Sequence, residues 1–388
     1  MPVDWKLPAS ICLIYTSSCC LFEAFFSVPG TISLKGILVF TLPYLGMALA
    51  LNCFRHRFLF FDNFSNSSSG IMFLRKSTIS SVYISFFLQL FTWFYIIANT
   101  KNFHNAKEFF FGLRMASVHL KSIVPIWLSY PNGLCFASFC LALALFRCKK
   151  TNLSIFLLAI SVLTIFLNDL QTSARAGMAF VVFVFLVSLI WDWRVNGRKL
   201  LPPLIAIFGV SIFTQLPKVL RDGYQSLDQF FGLFEGVLRY CFAYLNALSE
   251  LLQRLPEPNW IGQRSFLPIF NLFARLDSSL TRSAIHSIEN SNVWGYNNYT
   301  MSGEIIRDFS YVGCLILPFL ISSLVILFAS ISSGPLGISI TLFFSGWITY
   351  ACITNILMLG GFLVSLIFLF GLALFERVYI RQDLSMLS

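Results

Sequence analysis

The stretch LPPLIAIFGVSIFTQLPKVLRDGYQ (201–225) holds the boundary on which the fold is decided. Up to Leu216 it is apolar. From Pro217 to about Asp308 the chain is mostly polar, the only long interruption in an otherwise apolar sequence. Residues 217–308 hold eight of the 27 Lys+Arg, nine of the 17 acidic residues and one of the four His. Whatever chemistry the chain performs is expected to concentrate there.

Outward from that boundary the composition is that of a membrane protein. Hydrophobic residues make up 57% and charged residues 11%, with a mean hydropathy of +0.77; soluble domains run to about 45–50% apolar and about 25% charged. The expected fold is all-α and polytopic, with about ten transmembrane helices and one large external loop containing short amphipathic helices. Spans are expected at 7–28, 32–53, 79–99, 126–146, 151–168, 175–193, 200–216, 309–331, 336–356 and 360–376. Residues 1–216 thus carry spans one to seven, 217–308 the loop, and 309–388 spans eight to ten with a C-terminal tail. The first apolar run lacks a basic n-region and a small-residue cleavage site, so it is expected to be a retained helix.

Placing the N-terminus inside puts 13 Lys and Arg on that side, from Lys6 to Arg381, against six in the short loops opposite (Lys35, Lys101, Lys107, Arg114, Lys121 and Arg175). This bias predicts cytoplasmic termini and an external 217–308 loop. The net charge of +10 does not point to nucleic acid, because the basic residues gather at the ends of apolar runs, where they orient helices and meet lipid headgroups. The ten Cys lie mostly in apolar runs, with no CxxC and no Cys/His set at zinc spacing. Neither a disulfide framework, a metal site nor a cofactor is indicated.

Within the short loops, KNFHNAKEFFFGLRMASVHLK (101–121) mixes Phe103, Phe110, Leu113 and Val118 with basic residues, the composition of a segment lying on the membrane surface. The turn NDLQTSARAG (168–177) leaves Asp169 and Arg175 at the outer membrane edge, where an ionisable group is either functional or one half of an Asp169–Arg175 pair. In the long loop, residues 227–255 show helical periodicity, closed by Pro256-Glu257-Pro258. Glu235 and Arg239 stand there at ion-pair spacing. Arg275 and Arg282 lie two helical turns apart, and an Asn- and Gly-rich stretch (286–304) leads back to the membrane.

The loop has no G-x-S-x-G, no Walker motif and no DxD-type metal pair. What it supplies is arginine: Arg221, Arg239, Arg254, Arg264, Arg275, Arg282 and Arg307, with a single Lys. Guanidinium groups bind phosphate bidentately and hold their charge at a membrane surface. His286 is a candidate general base. Trp294 and Tyr296 are candidates to stack on sugar faces, with membrane-belt anchoring as the alternative.

Many spans with one large late external loop resemble the bacterial oligosaccharide repeat-unit polymerases (Wzy-type), relatives of the O-antigen ligases. Two local patterns carry the likeness further: the Ser173-Ala174-Arg175 turn, and Gly303-Glu304 … Asp308-Phe309 … Gly313, similar to the G-E-x-x-x-D-F-x-x-x-G stretch of such polymerases. Where that pattern often has Gly after the Phe, this chain has Ser310. The resemblance implies a metal-independent glycosyltransferase of the bacterial inner membrane. Acting at the periplasmic face, it moves a growing glycan from undecaprenyl pyrophosphate onto a new lipid-linked repeat unit. Donor and acceptor are both undecaprenyl pyrophosphate-linked oligosaccharides, with a flippase and a chain-length regulator as further partners. It further implies Arg175, Arg264 and Arg275 on the pyrophosphate, Arg239 and Arg282 behind them, His286 as base, and Glu304 orienting the base or acceptor, or pairing with Arg307. The alternatives are an O-antigen ligase and a lipid-linked oligosaccharide flippase. Transporters usually carry midplane charges and internal repeats; here Glu23 is the main mid-span charge and no repeat is visible.

Overall fold

The computed structural model describes residues 6–25, 31–54, 68–100, 108–110, 112–113, 124–129, 131–172, 176–196, 244–253, 262, 265–266, 269, 300–332, 335–352 and 360–386. Every regular element among them is helical: α1 (Lys6–Phe25), α2 (Leu34–Cys53), α3 (Ser68–Asn99), α4 (Ile126–Ser129), a 3-10 turn (Pro131–Gly133), α5 (Leu134–Cys148), α6 (Asn152–Thr172), α7 (Ala176–Asn196), α8 (Tyr244–Leu251), α9 (Met301–Ile331), α10 (Leu336–Tyr350) and α11 (Gly360–Met386). Seven of these segments are long and apolar enough to cross a membrane, and α7 and α10 contain shorter apolar stretches. Hydrocarbon offers no partner to a backbone N–H or C=O, so runs this apolar satisfy themselves as helices. The chain is a helical membrane protein.

Three expectations change in detail. The span expected at 126–146 is broken: α4 and the 3-10 turn precede α5, consistent with Pro125 and Pro131 each withholding a backbone donor. The helix expected from 309 starts at Met301, so the last turns assigned to the loop are helical. Within the amphipathic segment expected at 227–255, the described helix α8 is not half-exposed; polar Asn246 and Ser249 are as buried as Leu245 and Leu248. The span expected at 200–216 lies outside the described residues.

Contacts between helix ends sort the bundle into two faces. On one, Ser33 meets Ser249 and Met301 meets Ala351, while Ala137 N donates to Ser365 Oγ at 2.9 Å and Gln89 to Gln171 at 2.9 Å. On the other, Arg147 reaches Ser188, and the Ser332 hydroxyl donates to buried Glu376. The described ends of the long loop, α8 and the start of α9, fall on the first, here termed the loop-bearing face. Of the 100–125 segment, Phe109 and Phe110 pack with Trp93 against a small cluster of Ile96, Leu113, Val124 and Leu128.

Many of the chain's Phe have one of two places. Phe87, Phe91 and Phe94 on α3 are more than half exposed, as suits a lipid-facing surface. Phe136, Phe180, Phe343 and Phe362 instead knot α5, α7, α10 and α11 together, with Phe136 stacked on Phe362 at 3.9 Å and Phe180 edge-on to Phe362 at 4.9 Å. The knot sits beside a backbone contact. A Cβ on Gly133 would lie 2.2 Å from Gly361 Cα and 2.6 Å from its carbonyl oxygen. Backbone cannot step aside as a side chain can, so Gly133→Ala is expected to cost about 1–3 kcal/mol, read as a lower apparent Tm in detergent. Gly371, with nothing within 4 Å of its added Cβ, is the control: Gly371→Ala should leave Tm unchanged or raise it. Equal effects of the two would contradict this packing.

Candidate functional site

The buried polar groups of the loop-bearing face gather in two places, the start of α9 and the ends of α3, α5 and α6 that lie on that face. Residues 311–331 of α9 rise about 32 Å at about 1.5 Å each, enough to cross a hydrocarbon core of about 30 Å. The preceding turns, Met301 to Phe309, therefore stand beyond that core, yet Glu304, Arg307 and Asp308 are 5%, 4% and 0% exposed. Protein covers them. Met301 N donates to Ala351 O at 3.1 Å, the Ser302 hydroxyl approaches Phe40 O at 3.5 Å, and Ser265 N donates to Asp308 Oδ2 at 2.6 Å. This last bond ties Ser265 of the loop to the membrane helix. Helix α8 closes the other side, with Ser33 N donating to Ser249 Oγ at 3.0 Å.

Between the buried outer turns and the spanning part, α9 breaks at Ser310, whose backbone adopts φ 60° and ψ −168°. That region is nearly glycine's alone and costs other residues about 1–3 kcal/mol. Its neighbours hold the break. An added Cβ on Gly262, itself at φ +80°, would lie 2.7 Å from Phe309 Cζ, and one on Gly313 would lie 2.1 Å from Phe309 Cβ. The Phe309 ring is thus wedged between loop and helix by two glycines.

At the second place, Asp169 is 1% exposed and accepts from Gly177 N at 3.0 Å and Met178 N at 2.7 Å. A carboxylate on the first turn of α7 satisfies orphan amides and complements the helix dipole. Both oxygens of Asp169 thus tie the end of α6 to the start of α7. Around it, Gln89 donates to Gln171, Asn132 to Thr92 Oγ1 at 2.8 Å, and Trp93 Nε1 to Leu167 O at 3.2 Å.

Among the sequence-derived candidates, Glu304 alone falls within the described residues, in the buried outer turn of α9 with Arg307 and Asp308 one helical turn on. Arg175, Arg239, Arg264, Arg275, Arg282, His286, Trp294 and Tyr296 lie outside them. Asp169 was legible as an ionisable group at the membrane edge. The amides Gln89, Asn132 and Gln171 were missed, although a Gln inside SVYISFFLQLFTWFYII (81–97) is a signal of its own. Among the described residues, no three His, Cys, Asp or Glu are placed to hold a metal ion.

No family model matches the chain, and no curated protein or solved structure does either.

The break at Ser310 gives a direct stability test. Ser310→Gly should raise stability by on the order of 1 kcal/mol, and Ser310→Val, β-branched at positive φ, should lower it. Thermal unfolding of the purified protein measures both. A Gly variant less stable than the parent would contradict the strained joint.

Proposed function

We propose that the protein is a polysaccharide polymerase of the bacterial inner membrane, with its loop-bearing face periplasmic and both termini cytoplasmic. It transfers a growing glycan from undecaprenyl pyrophosphate to a lipid-linked repeat unit. The single observation that carries this reading is the buried Glu304, Arg307 and Asp308 at the outer end of α9. Charges taken out of water are held by pairing and hydrogen bonds, ionisable groups at the membrane are functional-site candidates by default, and these stand just outside the hydrocarbon, where a lipid-linked pyrophosphate would lie. They share a face with buried Asp169, which precedes Arg175 by six residues in sequence.

The reaction makes modest demands. A hydroxyl oxygen of the acceptor sugar attacks the anomeric carbon of the donor; the bond from that carbon to the pyrophosphate oxygen breaks, and undecaprenyl pyrophosphate leaves with the electron pair. The hydroxyl proton passes to a base. Negative charge grows on the pyrophosphate, so fixed cations bind the transition state more tightly than the ground state. Arg175, Arg264 and Arg275 take that role, supported by Arg239 and Arg282, with His286 as base and Glu304 orienting it or the acceptor. Trp294 and Tyr296 stack on the sugars. A flippase would deliver the repeat unit and a chain-length regulator would set the polymer's extent. A transporter reading is less well supported, because the buried charges at the outer end of α9 lie at one face rather than the bundle's midplane.

The test uses a cell lacking the native gene, complemented with variants whose membrane abundance is checked by blot. Arg175→Ala is expected to leave a single repeat unit on the acceptor. Glu304→Gln, which keeps the shape of a buried side chain, should cut polymer formation by about 10²-fold or more. A full ladder from both variants at normal abundance would contradict the assignments. Loss of even the single capped unit on gene deletion would point to a ligase or flippase instead.

A further inference from the structure

Lys35, in the first turn of α2, holds its Nζ over the Tyr311 ring, 5.7 Å from the centroid. Tyr311 is the first residue of the spanning part of α9, so the pair marks the outer edge of the hydrocarbon, where aromatic rings collect. Both side chains are exposed. An ammonium carries three donors, and a ring face occupies one side of it. Among the described residues Lys35 meets no carboxylate. Glu23, the nearest acidic residue in sequence, gives its Oε1 to Ile32 N at 3.1 Å. The pair therefore presents a cation without an anion at the depth of phosphate headgroups.

Inward of this pair, α2 and α9 border a furrow. A Cβ on Gly46 would lie 2.3 Å from Leu315 O and 3.2 Å from Phe319 N, so Gly46 faces α9. Both helices start at the loop-bearing face and run the same way, with about 100° between successive residues. Counting from Gly46 puts Leu38 and Leu45 on one flank of the contact; counting from Leu315 and Phe319 puts Ile316 and Leu320 on the same flank. All four are between 47% and 57% exposed. With no side chain on Gly46 to fill the angle between them, the two rows line a groove that is open to lipid and leads up to Lys35.

An apolar groove under a cation matches an amphiphile with an anionic head. A groove between one pair of helices receives one chain, whereas a phospholipid brings two. Tyr311 also adjoins the joint at Ser310, whose other side bears buried Glu304, Arg307 and Asp308. A head held at Lys35 thus lies beside the candidate site.

We propose that the α2–α9 furrow docks a single-chain polyprenyl pyrophosphate, with Lys35 and Tyr311 at the pyrophosphate and Leu38, Leu45, Ile316 and Leu320 along the chain. That the docked lipid carries a repeat unit for polymerisation rests on the polymerase reading. The site deepens that reading by giving the lipid carrier a place on the membrane helices as well as on the long loop.

The experiment titrates purified full-length protein with undecaprenyl pyrophosphate in detergent and follows thermal unfolding. The wild-type Tm is expected to rise by about 3 °C or more near saturation. Lys35→Gln, at an exposed position, should leave the Tm without lipid unchanged and weaken binding about fivefold, the weight of one Lys at an anionic surface. Lys35→Arg should restore binding, and Lys149→Gln, exposed on the opposite face, should bind as the wild type does. Binding indifferent to Lys35 would overturn the proposal. So would phosphatidylglycerol raising the Tm as far as the polyprenyl lipid, which would assign the surface to bulk phospholipid, or inorganic pyrophosphate alone doing so, which would leave the furrow no part. The two readings fail separately. A glycan ladder that survives gene deletion removes the polymerase while Lys35-dependent binding keeps the docking site; polymer lost on deletion with binding indifferent to Lys35 removes the docking site alone.

Discussion

Helices α2 and α9 approach so closely that glycine is required between them. A Cβ at Gly46 would lie 2.3 Å from Leu315 O and 3.2 Å from Phe319 N, both backbone atoms of α9. One turn of α9 beyond Leu315, Pro318 lacks the N–H that would bind its own helix's carbonyl, which loosens the backbone where α2 presses on it. The same seam continues outward. Gly36, on the first turn of α2, faces Ser249 of α8, and Ser302 approaches Phe40 O. One pair of helices therefore fixes where the described ends of the loop come down. Moving α2 away would loosen α8 and the buried outer turns of α9 together.

That seam gives the bundle its asymmetry. The loop-bearing face carries buried Asp169, Glu304, Arg307 and Asp308 together with the Gln89, Asn132 and Gln171 amides, whereas Glu376 is the one acidic group among the buried residues at the other. A protein whose task is to move a solute across the bilayer places its ionisable groups where both sides reach them. A protein that joins lipid-linked substrates at one surface needs them at that surface only. The strained joint at Ser310 belongs to the same pattern, because it breaks α9 between its buried first turns and the part long enough to span.

Much of the fold was legible in the sequence. Runs of about 20 apolar residues marked nearly all the described helices, because the bilayer leaves such runs one way to satisfy their backbone. The start of α9 was misplaced by eight residues for a physical reason: Glu304, Arg307 and Asp308 read as solvated loop, whereas tertiary contacts bury them within a helix. The burial of α8 escaped for a similar reason, since Asn246 falls on the polar side by periodicity and is buried in protein instead. Of the candidate site, Glu304 and the Asp169 turn were visible as charges near the membrane edge. The Gln89 and Asn132 amides carry no charge to mark them, and a single amide leaves a run of about 20 apolar residues readable as a span. The arginines and His286 of the long loop remain assignments made on chemistry.

The central claim is that this chain makes a glycosidic bond at one membrane face using its own side chains. Purified protein in liposomes, given only the host's undecaprenyl pyrophosphate-linked repeat unit and EDTA, tests it most directly. The account predicts polymer longer than one repeat, with release of undecaprenyl pyrophosphate and no requirement for nucleotide or metal. Repeat units that cross the vesicle wall without any new bond, or that remain unchanged, would contradict it.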